Sequence, residues 1–311
     1  MDAAKGWLPQ RMASVEERLA SRLGDHGEVL AAEAGATLAA GGKRLRPMLV
    51  LLCAGPQAGE GAISAATAIE LVHMATLVHD DVLDAAPLRR GRPTVVARAG
   101  RDTATAVGDL LLSRAFAELA REVPGAERRV SLLAAAAVSL ARGELAQRRD
   151  EFDLGISAER YLERCRLKTA ALFECACVIG GETDDPVLAG FGREIGLAFQ
   201  LLDDVLDVAG PPERTGKARG TDLLDGTVTL PLILARERDD ELRAVDLRAL
   251  DEATAADVCD RIAATGVLDE VRADARERVE AAKRSLDAVD LDEERRDLLR
   301  LVADGVVERY A

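Results

Sequence analysis

"HDDVLDA" at 79–85 and "FQLLDDVLDV" at 199–208 share the string Asp-Asp-Val-Leu-Asp, 123 positions apart from Asp80 to Asp203. Each copy closes an apolar run, residues 69–78 in the first case and 195–202 in the second. At about 100° per residue, the third Asp lies about 40° around a helix from the first and about 60° from the second, so the three carboxylates share one face of the last turn. They repel one another, and they sit where the helix macrodipole disfavours negative charge. A cation must compensate. Hard oxygen ligands with room left for water suit Mg2+, which binds through one or two carboxylates plus substrate phosphates. The pairs Asp184-Asp185 and Asp239-Asp240 do not continue into D-D-x-x-D and read as solvated charges. The near-continuous apolar sequence before each acidic cluster marks a helix that is buried rather than lying on the surface.

Outward from these motifs, the chain reads as helices throughout. Of its 311 residues 48% are apolar and only 3% aromatic, and Ala, Leu, Arg, Glu and Asp dominate. Such unbranched side chains lose little rotamer freedom in a helix. Helical segments are expected over 14–40, 47–54, 62–86, 101–122, 127–149, 157–180, 186–209 and about 231–310, with loops at 86–94 and 210–231. No low-complexity linker divides them, which favours one all-α domain over 1–311. The net charge of -14 argues against a nucleic-acid surface, since phosphate binding needs a concentrated basic field. Cys53, Cys165, Cys175, Cys177 and Cys259 lie in apolar helical surroundings without a C-x-x-C pair and read as reduced thiols of an intracellular protein. The charged N-terminus lacks an apolar signal region, and the run 48–54 is too short to span a bilayer. The chain is therefore expected in the cytoplasm, with at most peripheral membrane contact.

An anionic substrate needs local cations. "GGKRLRP" at 41–47 supplies Lys43, Arg44 and Arg46 on a Gly-bent turn, and "LRRGRP" at 88–93 supplies Arg89, Arg90 and Arg92. Arg forks bind diphosphate oxygens bidentately and Lys adds a point charge. Lys168 and Lys217 are further candidates. His73, seven positions before Asp80, lies two turns down the same helix face and is placed to donate to a phosphate.

The ordered strings "GGKRLRP", "ELVHMATLVHDDVLD", "LRRGRPT", "GE" at 143–144 followed by Gln147, "KTAALF", "GLAFQLLDDVLD" and "TGKARGTDLLDGTVTLP" resemble those of the all-trans polyprenyl diphosphate synthases. The resemblance runs from about 41 to 231, with the C-terminal helices 231–310 completing the domain. It implies an isoprenoid-synthase-type helical bundle around a central apolar cavity, a homodimer, and about three Mg2+ ions per site held between the two acidic motifs. It implies Asp80, Asp84 and Asp203 as metal ligands, with Asp81, Asp204 and Asp207 supporting through water. Lys43, Arg46, His73 and Arg90 would hold isopentenyl diphosphate. Arg89, Lys168, Thr169, Gln200 and Lys217 would hold the allylic diphosphate. The implied reaction ionises the allylic C–O bond, the isopentenyl double bond attacks the cation, and the released diphosphate takes the proton, giving a product longer by one five-carbon unit. Loop 210–231 would then be a lid that excludes water.

One position departs from the family pattern. Relatives commonly carry Gly-Lys where this chain has Gly226-Thr227, so a cation expected at the allylic diphosphate is missing, with Lys217 and Arg219 as substitutes. Product length is expected to be set five and four positions before Asp80, at Ala75 and Thr76, where short-chain relatives place an aromatic plug. Neither residue is bulky, and the small residues 134–137 are a second candidate stretch of tunnel wall, so a product of C20 or longer is expected. Three other readings compete, of which a plain helical scaffold would need none of the clustered charges. A terpene cyclase would not need the intact "GGKRLRP" and "LRRGRPT". A subunit of a heteromeric prenyl synthase would show eroded motifs, of which Thr227 is the single instance.

Overall fold

A computed structural model describes residues 6–24, 28–39, 44–89, 91–121, 124–181, 184–210 and 219–308. The chain is all-α. Its helices are α1 (Leu8–Gly24), α2 (Glu28–Ala39), α3 (Leu45–Ala54), α4 (Glu60–Leu83), α5 (Val95–Ala99), α6 (Arg101–Leu119), α7 (Ala126–Asp150), α8 (Ala158–Cys165), α9 (Ala171–Ile179) and α10 (Pro186–Ala209). Beyond these come Thr221–Leu224, Leu230–Arg238, Asp240–Arg243, Glu252–Ala264, Val267–Ser285 and Glu293–Glu308.

Contacts group the chain into two compact units, each assembled from three separate stretches. The first takes 1–137, 172–192 and 286–302, and the second takes 138–171, 193–285 and 303–311. In the first unit α4 is the central rod, packed most extensively against α6 and also against α3 and α1. Ile63, Ala65, Ala66, Ala68, Ile69, Leu71, Val72 and Met74 are all buried, which explains the apolar run before the first acidic motif. By length and composition α4 could cross a membrane, a reading that the shorter run 48–54 does not allow. The protein itself covers 78% of the relevant window, as for a core helix. α6 answers α4 with a stripe of Ala104, Val107, Gly108, Leu111 and Ala115, where small residues let the backbones approach. In the second unit the lower half of α10 buries Ala198, Leu201, Leu202, Val205 and Val208 at helical spacing. A capping box between Asp251 and Thr254 starts helix Glu252–Ala264.

Four local expectations need correction. The single helix expected over 14–40 is two, α1 and α2. The loop expected over 86–94 holds a two-stranded antiparallel hairpin, β1 (Leu88–Arg89) and β2 (Arg92–Pro93), too short to show a strand period. Gly91 (φ 73°) supplies the left-handed residue its turn requires. The helix expected over 157–180 carries a π-helical turn at Arg166–Ala170 between α8 and α9. Finally, 210–231 does not stay irregular: one turn of helix forms at Thr221–Leu224.

Candidate active site

The first acidic motif is the last turn of α4. Asp84 ends the helix, its backbone N–H donating to the Asp80 carbonyl at 2.8 Å. Asp80 is half-buried and Asp84 exposed, whereas Asp81 is buried. The Arg89 guanidinium, carried by β1, donates from Nε to Asp81 Oδ1 at 2.8 Å. The compensating positive charge at the acidic helix end is therefore partly built in, and Asp81 is buried and held by Arg89. His79 Nε2 lies 3.3 Å from Asp109 Oδ1.

The second motif, in the last turns of α10, repeats this division. Asp203 is exposed and Asp204 is buried. Tyr161 O–H donates to Asp204 Oδ2. Gln200 Nε2 donates to Asp204 Oδ1 at 2.8 Å, and Thr169 O–H donates to Gln200 Oε1 at 2.7 Å. Burial, reinforced by the charge of Asp222, pushes the Asp204 carboxyl up to about 8. Burial and the neighbouring Asp204 also raise the Tyr161 phenol. Asp207 is tied into the chain that follows α10. Its Oδ2 accepts the Asp222 N–H at 3.2 Å and its carbonyl accepts the Gly220 N–H at 3.0 Å. These two bonds fix the chain after residue 218 to the end of α10. Of the segment 210–231 expected as a lid, residues 211–218 lie outside the described residues.

The cations divide into substrate candidates and structural ones. Arg46 Nη1 lies 3.4 Å from His73 Nε2, and the Arg46 guanidinium stacks 4.2 Å above the Phe173 ring, so two expected isopentenyl ligands are together in the first unit. Arg44 does not join them. It takes a left-handed backbone (φ 46°) and is consumed by Glu16 Oε1 at 2.6 Å, Glu70 Oε1 at 2.7 Å and the Leu38 carbonyl at 3.0 Å. Lys168 and Thr169 both sit on the π-helical turn, a device frequent at functional sites. Lys168 Nζ pairs with Glu144 Oε2 at 2.5 Å, and the other Glu144 oxygen accepts from Arg148 at 2.9 Å. Arg219, named with Lys217 as a substitute for the missing lysine at Thr227, is engaged by the Val208 carbonyl at 2.9 Å and Asp260 at 2.8 Å. Lys43, Arg90 and Lys217 lie outside the described residues.

A family model described as polyprenyl synthetase matches residues 28–264. The chain belongs to the polyprenyl synthetase family. It is 40% identical over 243 residues to heptaprenyl diphosphate synthase component 2 of Geobacillus stearothermophilus, covering 76% of this chain and 75% of that protein. It is 37% identical over 291 residues to geranylfarnesyl diphosphate synthase of Aeropyrum pernix, covering 87% of this chain and 91% of that one. The crystal structure of polyprenyl synthase from Caulobacter crescentus CB15, complexed with calcium and isoprenyl diphosphate, superposes with a TM-score of 0.90 at 34% identity, over 97% of this chain and 96% of that one. The synthetase is thus a trans-prenyltransferase, an enzyme of prenyl-chain elongation.

Does the synthetase fit Mg2+? Among the described residues, no three His, Cys, Asp or Glu side chains form a ready cage. Mg2+ keeps several waters and takes one or two carboxylates plus substrate phosphates, so the test is the chemistry of the carboxylates themselves. The more accessible carboxylates are Asp80, Asp84 and Asp203, all hard oxygen donors, while Asp81 and Asp204 are held by Arg89 and by Tyr161 with Gln200. The donor set fits.

Two features of the synthetase escape sequence reasoning. Tyr161 holds Asp204 from 43 positions away, and nothing local signals it. The string "GE" at 143–144 is visible in sequence, but its purpose is structural: a Cβ on Gly143 would lie 2.5 Å from the Lys168 backbone nitrogen, so only glycine lets α7 pass this close to the π-helical turn. Gly143→Ala is expected to cost about 1–3 kcal/mol of stability through overpacking and to raise the KM for the allylic diphosphate. Denaturant unfolding beside steady-state kinetics checks both, and an unchanged unfolding midpoint would contradict the close approach.

Proposed function

We propose that this synthetase condenses isopentenyl diphosphate with an allylic diphosphate, in a Mg2+-dependent reaction, to give an all-trans polyprenyl diphosphate of C20 or longer plus diphosphate. The observation that carries the reading is the repeated division of labour in the two motifs: an accessible Asp80 or Asp203 beside a buried, hydrogen-bonded Asp81 or Asp204. Bound Mg2+ supplies the positive charge that a departing diphosphate requires. Asp80 and Asp84 on one motif and Asp203 on the other are its proposed ligands. Arg46 and His73, with Lys43 and Arg90, hold isopentenyl diphosphate. Lys168, Thr169 and Gln200, with Lys217, hold the allylic partner. Arg89 serves that partner through Asp81, which fixes its guanidinium. The apolar body of α4 is the surface along which the hydrocarbon grows, out of reach of water that would quench a cation.

Product length is proposed to be set by Ala75 and Thr76. Ala75 is buried, whereas Thr76 is half-buried on the Asp80 face one turn below it, with its hydroxyl donating to the His73 carbonyl at 2.8 Å. Ala75→Phe and Thr76→Phe are expected to shorten the main product by at least one five-carbon unit, read by chromatography of labelled products. An unchanged product spectrum from both variants would reject this wall.

The working form is proposed to be a cytoplasmic homodimer. In support, all five cysteines are free, buried thiols, and α7 leaves Val138 and Leu145, two turns apart on one face, 59% and 69% exposed. The name of the Geobacillus relative, component 2, favours a second reading in which a different chain completes the enzyme. Purified chain given labelled isopentenyl diphosphate and a series of allylic primers, with Mg2+ and with chelator, tests both. Elongation by the chain alone that disappears on chelation supports the first reading. Silence until a partner chain is added supports the second. Cyclised hydrocarbon from allylic diphosphate alone would overturn both.

A further inference from the structure

We infer that Tyr161 is a positioning residue for the allylic half of the site, acting on Gln200 and Thr169 through Asp204. The inference rests on the reading, given above, that Thr169 and Gln200 contact the allylic diphosphate.

A carboxamide presents one accepting and one donating end, and reversing it reverses which neighbours it satisfies. In this chain the direction is fixed from both sides. Thr169 O–H donates to Gln200 Oε1 at 2.7 Å, and Gln200 Nε2 donates to Asp204 Oδ1 at 2.8 Å. Asp204 is itself immobilised by the Tyr161 O–H on its second oxygen. The series Thr169, Gln200, Asp204, Tyr161 therefore ends on a phenol that is only 1% exposed, within a side-chain network where every link sets the next. Its far end is braced as well. The Arg164 guanidinium lies 5.4 Å from the Tyr161 ring centre and donates to the Val228 carbonyl at 2.6 Å. Without the phenol O–H, Asp204 can turn, Gln200 loses its fixed direction, and the Thr169 hydroxyl is free to rotate away from substrate.

The role differs from that of a simple core aromatic. Phenylalanine at 161 keeps the ring, its packing and the Arg164 contact, and removes the hydroxyl with its hydrogen bonds to Asp204 and to the buried Cys165 thiol. Tyr161→Phe is expected to raise the KM for the allylic diphosphate about ten-fold, the scale of one buried hydrogen bond, and to leave the KM for isopentenyl diphosphate within about two-fold. A purely structural defect would not separate the two substrates in this way.

The test is a double-mutant cycle on the full-length enzyme with Mg2+, combining Tyr161→Phe with Gln200→Ala. Each single change is expected to raise the allylic KM, and the double variant should be no worse than Gln200→Ala, because Tyr161 has nothing left to position. Effects that multiply, or an allylic KM unmoved by Tyr161→Phe while Gln200→Ala raises it, would overturn the inference. If Gln200→Ala itself leaves the allylic KM unchanged, the underlying assignment of that residue fails instead. Should Tyr161→Phe not fold, Asp204→Asn replaces it in the same cycle. An asparagine that accepts from Tyr161 must turn its NH2 toward Gln200 Nε2, so the same selective rise in allylic KM is expected, and its absence counts against the inference.

Discussion

Asp80→Ala should lower kcat/KM by at least about 10^3-fold while leaving the unfolding midpoint close to that of the parent chain. The size follows from the metal-ligand role proposed for the carboxylate. A metal clamp on a departing diphosphate supplies several kcal/mol of charge stabilisation in the transition state, and each 1.4 kcal/mol is about ten-fold in rate. No neighbour in the motif is positioned to substitute. Asp81 is already engaged by Arg89 Nε at 2.8 Å and is buried against the hairpin. Asp84, the C-cap of the helix, is a proposed ligand in its own right and so cannot also take the place of Asp80. Stability is spared because Asp80 is half-buried at the last turn of α4, where removing a negative charge eases repulsion with its neighbours and with the helix dipole. Asp81→Asn should behave in the opposite proportion, loosening Arg89 and the hairpin while lowering turnover less. Incorporation of labelled isopentenyl diphosphate across a Mg2+ titration reads both variants. Turnover by Asp80→Ala within ten-fold of the parent, or turnover that survives chelation, would reject a metal role for this residue.

The all-α class and the two acidic helix ends are legible in the sequence because both depend on local chemistry. Three carboxylates within five residues after an apolar run can be read without any tertiary information. The divergent roles of adjacent carboxylates cannot, because Asp80 and Asp81 differ only in which side of α4 each faces, and that is decided by α6 and by the hairpin carrying Arg89. Composition overstates the cation cluster for the same reason. "GGKRLRP" offers three positive charges within four residues, yet Arg44 is turned inward by Glu16 and Glu70, from 28 and 26 positions away. The hairpin at 88–93 and the π-helical turn at 166–170 are illegible on length, since two-residue strands and a single widened turn leave no period to detect. Gly143 stands inside a recognisable string, but its reason, the approach of the Lys168 backbone, exists only once both helices are folded.

The reassignment of Arg44 leads to a large expected effect on stability with little effect on substrate binding. Arg44 donates to Glu70 at 2.7 Å, and Glu70 is 3% exposed, so its charge has no access to water. Burial raises the Glu70 carboxyl above its ordinary range even though Arg44 and Arg46 both pull it down. Breaking a buried pair by removing one partner typically costs about 3–5 kcal/mol, because the other charge is left desolvated. Arg44→Met should therefore lose about 3–5 kcal/mol of a typical domain's margin of about 5–15 kcal/mol, lowering Tm by roughly 10 °C. Replacing both groups, Arg44→Met with Glu70→Gln, removes the stranded charge and should recover much of that loss, giving a coupling energy of about 1–3 kcal/mol in the cycle. The double variant also separates structure from recognition. With Glu70 neutral, nothing new draws on Arg46, which stays stacked on Phe173 beside His73. Its KM for isopentenyl diphosphate should stay within about two-fold of the parent. A ten-fold rise in that KM at a temperature where the double variant is fully folded would return Arg44 to the diphosphate site, and recovery of stability without that rise would confine it to the core.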